Sequence, residues 1–375
     1  MRPIQMVDLK RQYAGIKPAV DEAVARVMDT TAFINGQAVA DFADQLAAYL
    51  NVKHVIPCAN GTDALQIALM AAGLQPGDEI ITPSFTYIAT TEVIALLRLT
   101  PVFVEVDPDT FCIDPSSIKK AITPKTKAIV PVHLYGQSAN MEEIEKIAKA
   151  HDLFVIEDNA QSIGAEYRYS DGTVKKTGTM GHIGCTSFFP SKNLGCFGDG
   201  GALCTDDDLL AEKMKMIANH GQSKRYYHDL VGCNSRLDAI QAAVLSIKLK
   251  QLDQYNAARF EAAAYYTNAI KDNPRIKTPF IAPNNKHVFH QYTIILEGVD
   301  RNRLVEQLAS VQIPAMIYYP VPAHKQKMFS FLNLPQFDLP ITDWLTERVV
   351  SLPMHTELDK EQLDYITDKV NYFTK

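Results

Sequence analysis

From about residue 53 onward, short runs of Val, Ile and Phe alternate with stretches whose apolar residues recur every three or four positions. The first pattern suits buried strands, and the second suits helices that keep one face in a core. Val55-Ile56-Pro57 leads into a predicted helix over 62–72, Glu79-Ile80-Ile81 into one over 88–97, and Val102-Phe103-Val104 into one over 115–121. Ala128-Ile129-Val130 precedes a helix over 141–150, and Phe154-Val155-Ile156 is followed by a strand-like run toward Lys192. Such alternation predicts an α/β fold with a mostly parallel, doubly wound sheet that binds ligands at the C-terminal ends of its strands.

Beyond Thr205 the pattern turns helical, at 209–218 and then in one long run from 237 to about 270, read as a helix bridging two domains. The remainder predicts a strand at 292–296, a helix at 301–309, a strand at about 315–318, and helices near 342–350 and 360–373. The expected division is a large domain at 1–245, including an N-terminal arm, and a small C-terminal α+β domain at 246–375. No repeat, low-complexity tract or flexible linker intervenes, so the two are expected to pack firmly.

The net charge of −6 offers no basic footprint for nucleic acid, so no such partner is expected. Six scattered cysteines never form a C-x-x-C pair, which reads as reduced cytosolic thiols. The most apolar stretch, 88–104, is cut by Glu92, Arg98 and Pro101 and cannot span a membrane. Residues 1–13 lack a signal-peptide core, so the expected location is the cytoplasm.

Chemistry concentrates at the ends of the apolar runs. Thr186-Ser187-Phe188-Phe189-Pro190-Ser191 breaks at a proline and presents Lys192, followed by a loop of small residues, Gly198-Asp199-Gly200-Gly201-Ala202. Leu153-Phe154-Val155-Ile156 ends in Glu157-Asp158-Asn159-Ala160-Gln161. A lysine on one strand end and an aspartate on another are what a pyridoxal phosphate enzyme must bring together. The lysine forms a Schiff base, and the carboxylate keeps the ring nitrogen protonated so that the ring can draw electrons. Asn60-Gly61-Thr62-Asp63, between a strand and a helix, offers free N–H groups to a phosphate, or simply caps the helix. Tyr87 could present a flat face for stacking, and Gln161 could donate to a ring oxygen. His287 and His290 stand in a presumed strand without a carboxylate or cysteine cluster, so packing is preferred to a metal site. Cys196 has no visible histidine constellation to activate it.

The order of six segments makes the chain recognisable. Asn60–Leu65, Pro83–Tyr87, Glu157–Gln161, Ser187–Lys192, Gly198–Gly201 and Gly232–Asp238 together resemble the DegT/DnrJ/EryC1/StrS family of sugar-nucleotide aminotransferases, over essentially the full length. The resemblance implies an aspartate-aminotransferase-like fold (fold type I of pyridoxal phosphate enzymes), with a seven-stranded, mostly parallel sheet. It implies Lys192 as the Schiff-base lysine and proton carrier, Asp158 at the ring nitrogen, Gln161 at the ring oxygen and Tyr87 stacked on the ring. Gly61, Thr62 and Ser187 would hold the phosphate, and Asn234 would reach the cofactor phosphate of a neighbouring subunit, making a homodimer with shared sites. Arg236 would contact substrate or the interface, and Tyr318 and Tyr319 would lie near the sugar nucleotide. Asn159 departs from the alanine more usual in the family.

Within the family the resemblance is to enzymes that aminate C3 of a UDP-2-acetamido-2-deoxy-3-keto-hexuronic acid for surface polysaccharide (O-antigen, lipopolysaccharide), with L-glutamate becoming 2-oxoglutarate. Tyr318 stands where histidine is expected in those enzymes. The alternatives are a 3- or 4-keto-6-deoxy sugar acceptor, a dehydratase and a non-catalytic regulator. The dehydratase relatives carry histidine in place of the lysine.

Overall fold

The computed structural model describes residues 1–375. Two helices, α1 (Leu9–Thr30) and α2 (Gln37–Leu50), precede the alternating region. Then follow β1 (His54–Cys58), α3 (Gly61–Ala71), β2 (Glu79–Pro83), α4 (Ala89–Leu96), β3 (Thr100–Val104), α5 (Pro115–Ala121), β4 (Thr126–Ile129), α6 (Met141–His151) and β5 (Phe154–Asp158). The hairpin β6 (Glu166–Arg168) and β7 (Val174–Lys176) leads to β8 (Ile183–Ser187), β9 (Gly201–Thr205) and α7 (Asp208–Ala218). A short pair, β10 (Gln222–Lys224) and β11 (Tyr227–His228), comes before α8 (Ala239–Leu249) and α9 (Leu252–Ile270). The chain closes with β12 (Ile276–Lys277), β13 (Asn285–Lys286), β14 (Tyr292–Leu296), α10 (Arg301–Ser310), α11 (Pro340–Arg348), β15 (Val349–Leu352) and α12 (Lys360–Phe373).

Seven strands form one sheet in the order β1-β9-β8-β5-β4-β2-β3. β9 runs antiparallel to both β1 and β8, and the remaining pairs are parallel. Adjacent residues in each strand point to opposite faces. Ile81, Ile129 and Val155 pack with Ile144 and Ile147 of α6 on one face. Their neighbours Ile80, Ala128 and Ile156 pack with α3 and α7 on the other. A third core joins α9, α10 and α12 to β14 and β15.

Helix ends match the sequence where caps are strong. α5 has Pro115 in its first turn, and its cap Asp114 accepts from the N–H groups of Ser116 and Ser117. α12 begins with a capping box between Asp359 and Gln362.

Several expectations need correction. The 237–270 run is two helices, because α8 buries Ala242 and Leu245 beside α2 while α9 buries Ala262, Ala263 and Tyr266 in the third core. The chain turns between them at Lys250 and Gln251. The predicted helix at 342–350 stops at Arg348. Val349–Leu352 is instead a fully buried strand paired with Tyr292–Ile295, as suits two consecutive valines. At 315–318 only an isolated bridge, Met316 to Ser351, forms. Lys192 lies in a turn beyond β8, Gly201 and Ala202 belong to β9 rather than a loop, and His287–His290 lies outside any strand.

Candidate active site

The C-terminal ends of the parallel strands surround a cavity of about 580 Å³ lined by Gly61, Thr62, Tyr87, Asp158, Gln161 and Lys192. Ser187, Tyr318 and Tyr319 line it as well. Asp158 ends β5 and is 5% exposed. One carboxylate oxygen accepts from the Thr90 hydroxyl on α4 (2.7 Å), and the other accepts from the Ala160 N–H (3.1 Å). Its neighbour Glu157 points into the protein, accepts from Gly178, Met180 and Gly181 N–H groups, and meets His133 Nε2 at 2.7 Å. Burial raises the Glu157 pKa, but His133 and the N–H donors outweigh it and hold the acid below its usual range. The aspartate is thereby anchored on both sides.

Lys192 follows the proline break, and its N–H closes a turn on Phe189 O (2.8 Å). Asn193, buried beside it, donates to Asn256 of α9 (2.7 Å) and to Val288 O (3.0 Å). Burial pulls the lysine amine from 10.5 down to about 8, with Asp158 acting the other way across the cavity. Its Nζ makes no hydrogen bond or ion pair with the protein.

The floor between β9 and α3 is pressed tight. A Cβ at Gly61 would lie 2.6 Å from Ser187 Cβ, and one at Gly201 would lie 2.4 Å from Asn60 O. Asn60 caps α3 by accepting from Asp63 N–H (2.8 Å). The N–H groups of Gly61 and Thr62, which have no partner within a helix's first turn, are left for a ligand.

The far wall comes from the C-terminal region. The Tyr135 hydroxyl donates to Tyr318 O, and Gln161 Nε2 donates to Tyr319 Oη at 3.0 Å while its Oε1 accepts from Tyr135 N–H at 2.7 Å. Tyr87, 57% exposed, meets the Tyr319 ring at 6.0 Å. Asn234 and Arg236 do not line the cavity of a single chain. Asn234 is exposed, in a segment tied to the cavity edge by Ser235, whose hydroxyl accepts from Ala59 N–H (3.1 Å).

Thr90, His290 and Gln291 were not singled out by sequence as site residues. His290 lines the cavity, and burial, then the charges of Lys192 and Arg259, hold it well below the usual histidine range. Only the burial of α4's first turn, through Ala89, Thr90 and Thr91, could have pointed to Thr90.

The residues fit pyridoxal phosphate: an amine without a partner, a buried carboxylate across the cavity and a glycine-floored seat for an anion.

The DegT/DnrJ/EryC1/StrS aminotransferase family model matches residues 15–371. A "Pleiotropic regulatory protein" of Geobacillus stearothermophilus is 45% identical, covering 99% of this chain and 98% of its own. A UDP-2-acetamido-2-deoxy-3-oxo-D-glucuronate aminotransferase of Pseudomonas aeruginosa is also 45% identical, over 97% and 98%. A dTDP-3-amino-3,4,6-trideoxy-alpha-D-glucose transaminase of Streptomyces venezuelae is 39% identical, over 98% and 95%. The crystal structure of DesV from S. venezuelae superposes with a TM-score of 0.95 at 38% identity, covering 100% of this chain and 99% of that one.

Proposed function

The chain belongs to the DegT/DnrJ/EryC1/StrS aminotransferase family, and from that premise we propose that it aminates C3 of a UDP-2-acetamido-2-deoxy-3-keto-hexuronic acid, with L-glutamate as donor. It is a pyridoxal phosphate-dependent aminotransferase acting on a nucleotide sugar. When bound, the cofactor supplies the electron sink and carries the amino group between the two substrates. The observation that carries the reading is the unpartnered Lys192 amine across one cavity from Asp158.

In this reading Lys192 anchors the cofactor, then takes up and returns the proton that moves during amino transfer. An amine with a pKa of about 8 is partly uncharged at neutral pH, as a base requires. Asp158, held by Thr90 and Ala160, fixes a negative charge at the ring nitrogen. Gln161 orients the ring oxygen and Tyr87 covers the ring face. Gly61, Thr62 and Ser187 bind the phosphate. Asn234 and Arg236, outside the single-chain cavity, serve the site of a second copy in a homodimer, with Arg236 meeting a substrate carboxylate. Tyr318 and Tyr319 face the sugar. The product would enter surface polysaccharide such as O-antigen, and the enzyme would work in the cytoplasm. No helix is long and apolar enough to cross a membrane.

Mass spectrometry of the reverse reaction, with 2-oxoglutarate and a panel of amino-sugar nucleotides, tests the substrate. Deamination of the 3-amino hexuronate is expected. Deamination of a 3- or 4-amino-6-deoxy sugar alone would overturn the narrow assignment, an outcome that the S. venezuelae relative and Tyr318 favour. Lysine at position 192 speaks against the dehydratase. The Geobacillus relative's name favours a regulator; DNA binding in a low-salt gel shift would support that reading, against the chain's net charge of −6.

A further inference from the structure

Two loops that wall the cavity are joined away from it. Ser84 directly follows β2 and leads into Phe85, Thr86 and Tyr87, and its side chain is fully buried. His324 follows Tyr318 and Tyr319, and its side chain is 4% exposed. Between them the Ala323 N–H donates to Ser84 O (2.9 Å) and the His324 N–H donates to Ser84 Oγ (3.0 Å). Ser84 Oγ lies 2.7 Å from His324 Nδ1. The serine hydroxyl accepts from the backbone and has no acceptor for its own hydrogen other than the imidazole nitrogen, which takes it in the neutral ring. The ring hydrogen therefore sits on Nε2, which has no hydrogen-bond partner and lies 3.6 Å from Asp343 Oδ1.

We propose that His324 is a positioning residue of the aminotransferase site: through Ser84 it locks the Tyr87 wall to the Tyr318–Tyr319 wall and so sets the width of the sugar-nucleotide cleft. With a neutral imidazole the serine hydrogen is used in this bond; protonation of Nδ1 reverses the bond onto the serine oxygen's second lone pair and leaves the hydroxyl hydrogen without an acceptor. The groups facing the ring favour the neutral form on balance. Burial lowers the pKa and Lys325 lowers it further, while Asp343 of α11 and Glu105 beyond β3 oppose them. Lys325 itself is paired to Asp343 at 2.6 Å. Glu105 is occupied at the start of α11, accepting from the Ile341 and Thr342 N–H groups (2.7 and 2.9 Å). At neutral pH the serine therefore donates to the ring, and the two walls are joined by this bond and the two backbone N–H bonds together.

This inference rests on the proposed assignment of Tyr318 and Tyr319 to the sugar side, and the test separates the two. Ser84→Ala, His324→Leu, the double variant and His324→Asn are compared in the cofactor-loaded enzyme. The glutamate half-reaction, followed by absorbance, should stay within about twofold of the parent in all four. For the amino-sugar nucleotide that the parent deaminates, KM should rise about five- to tenfold in each of the first two, the scale of one lost hydrogen bond. The double variant should be no worse than either single one. His324→Asn, whose amide oxygen replaces Nδ1, should restore KM. Hydrogen exchange at amides 323 and 324 should speed up in the first two variants and need no sugar to be seen. Additive effects, an unchanged KM with faster exchange, or an asparagine variant as weak as the leucine one would overturn the proposal. A lost glutamate half-reaction in the parent would overturn the functional reading instead.

Discussion

At Lys192 the ordinary lysine pKa is replaced by one near 8, and the cause is burial, opposed by Asp158. In the cofactor-free protein, the rate at which this amine reacts with an aldehyde should have its midpoint near pH 8. Asp158→Asn should move that midpoint lower still, since the charge it removes favours the ammonium. The unfolded chain holds the proton up to about 10.5 and the folded chain only to about 8. The buried amine should therefore contribute stability that grows with pH through that window: in thermal melts of the cofactor-free protein the difference between the parent and Lys192→Ala should move in the parent's favour as pH rises, on top of the like contribution of buried Lys248 that both share. Gly61 gives a second residue-scale test. A methyl group there meets Ser187 at 2.6 Å, so Gly61→Ala should weaken cofactor affinity by about tenfold or more, measured by absorbance titration. Lys192, Asp158 and the Gly61-Thr62 turn were legible because each ends or closely follows an apolar run that forms a strand. Thr90 and His290 were not, because a threonine in a helix and a histidine in a loop look the same whether they face a ligand or a core.

At the scale of elements, β5 places two acids side by side with opposite fates, one in the cavity and one inside the protein. Glu157 ties β5 to the 178–181 turn and to His133, so Glu157→Gln should cost about 3 kcal/mol in chemical denaturation. The native charge contributes above the acid's ordinary pKa of 4.5 and is lost as pH falls through the lower folded value. Elements with strong local signals, such as α5, β14 and α12, matched their predicted spans at both ends. The failures share a cause. Whether 237–270 is one helix depends on which core each half meets, and whether Val349–Leu352 is helix or strand depends on β14 lying beside it. Neither neighbour is visible in local periodicity. β9 hid behind the run of small residues that opens it, of which Gly201 is required by the close approach to Asn60.

For the whole molecule, we propose the two-domain division with its boundary near residue 245 and the homodimer together. Limited proteolysis and sedimentation test them separately. If the sites are shared, mixing Lys192→Ala with Asn234→Ala subunits after dissociation should restore activity that neither has alone, because one site in the hybrid escapes both changes. No restoration would mean that Asn234 serves its own chain. One consequence of the sheet order concerns how the molecule comes into being. β8 and β9 are the only antiparallel neighbours in the seven-stranded sheet that follow one another directly along the chain, and the connection between them carries Lys192. Closing it has a smaller entropic cost than any parallel crossover. The lysine loop can therefore be drawn shut while β1 and β3, the outer strands, are still being gathered in. The reactive amine would then be framed early in folding and seated against Asp158 as β5 docks.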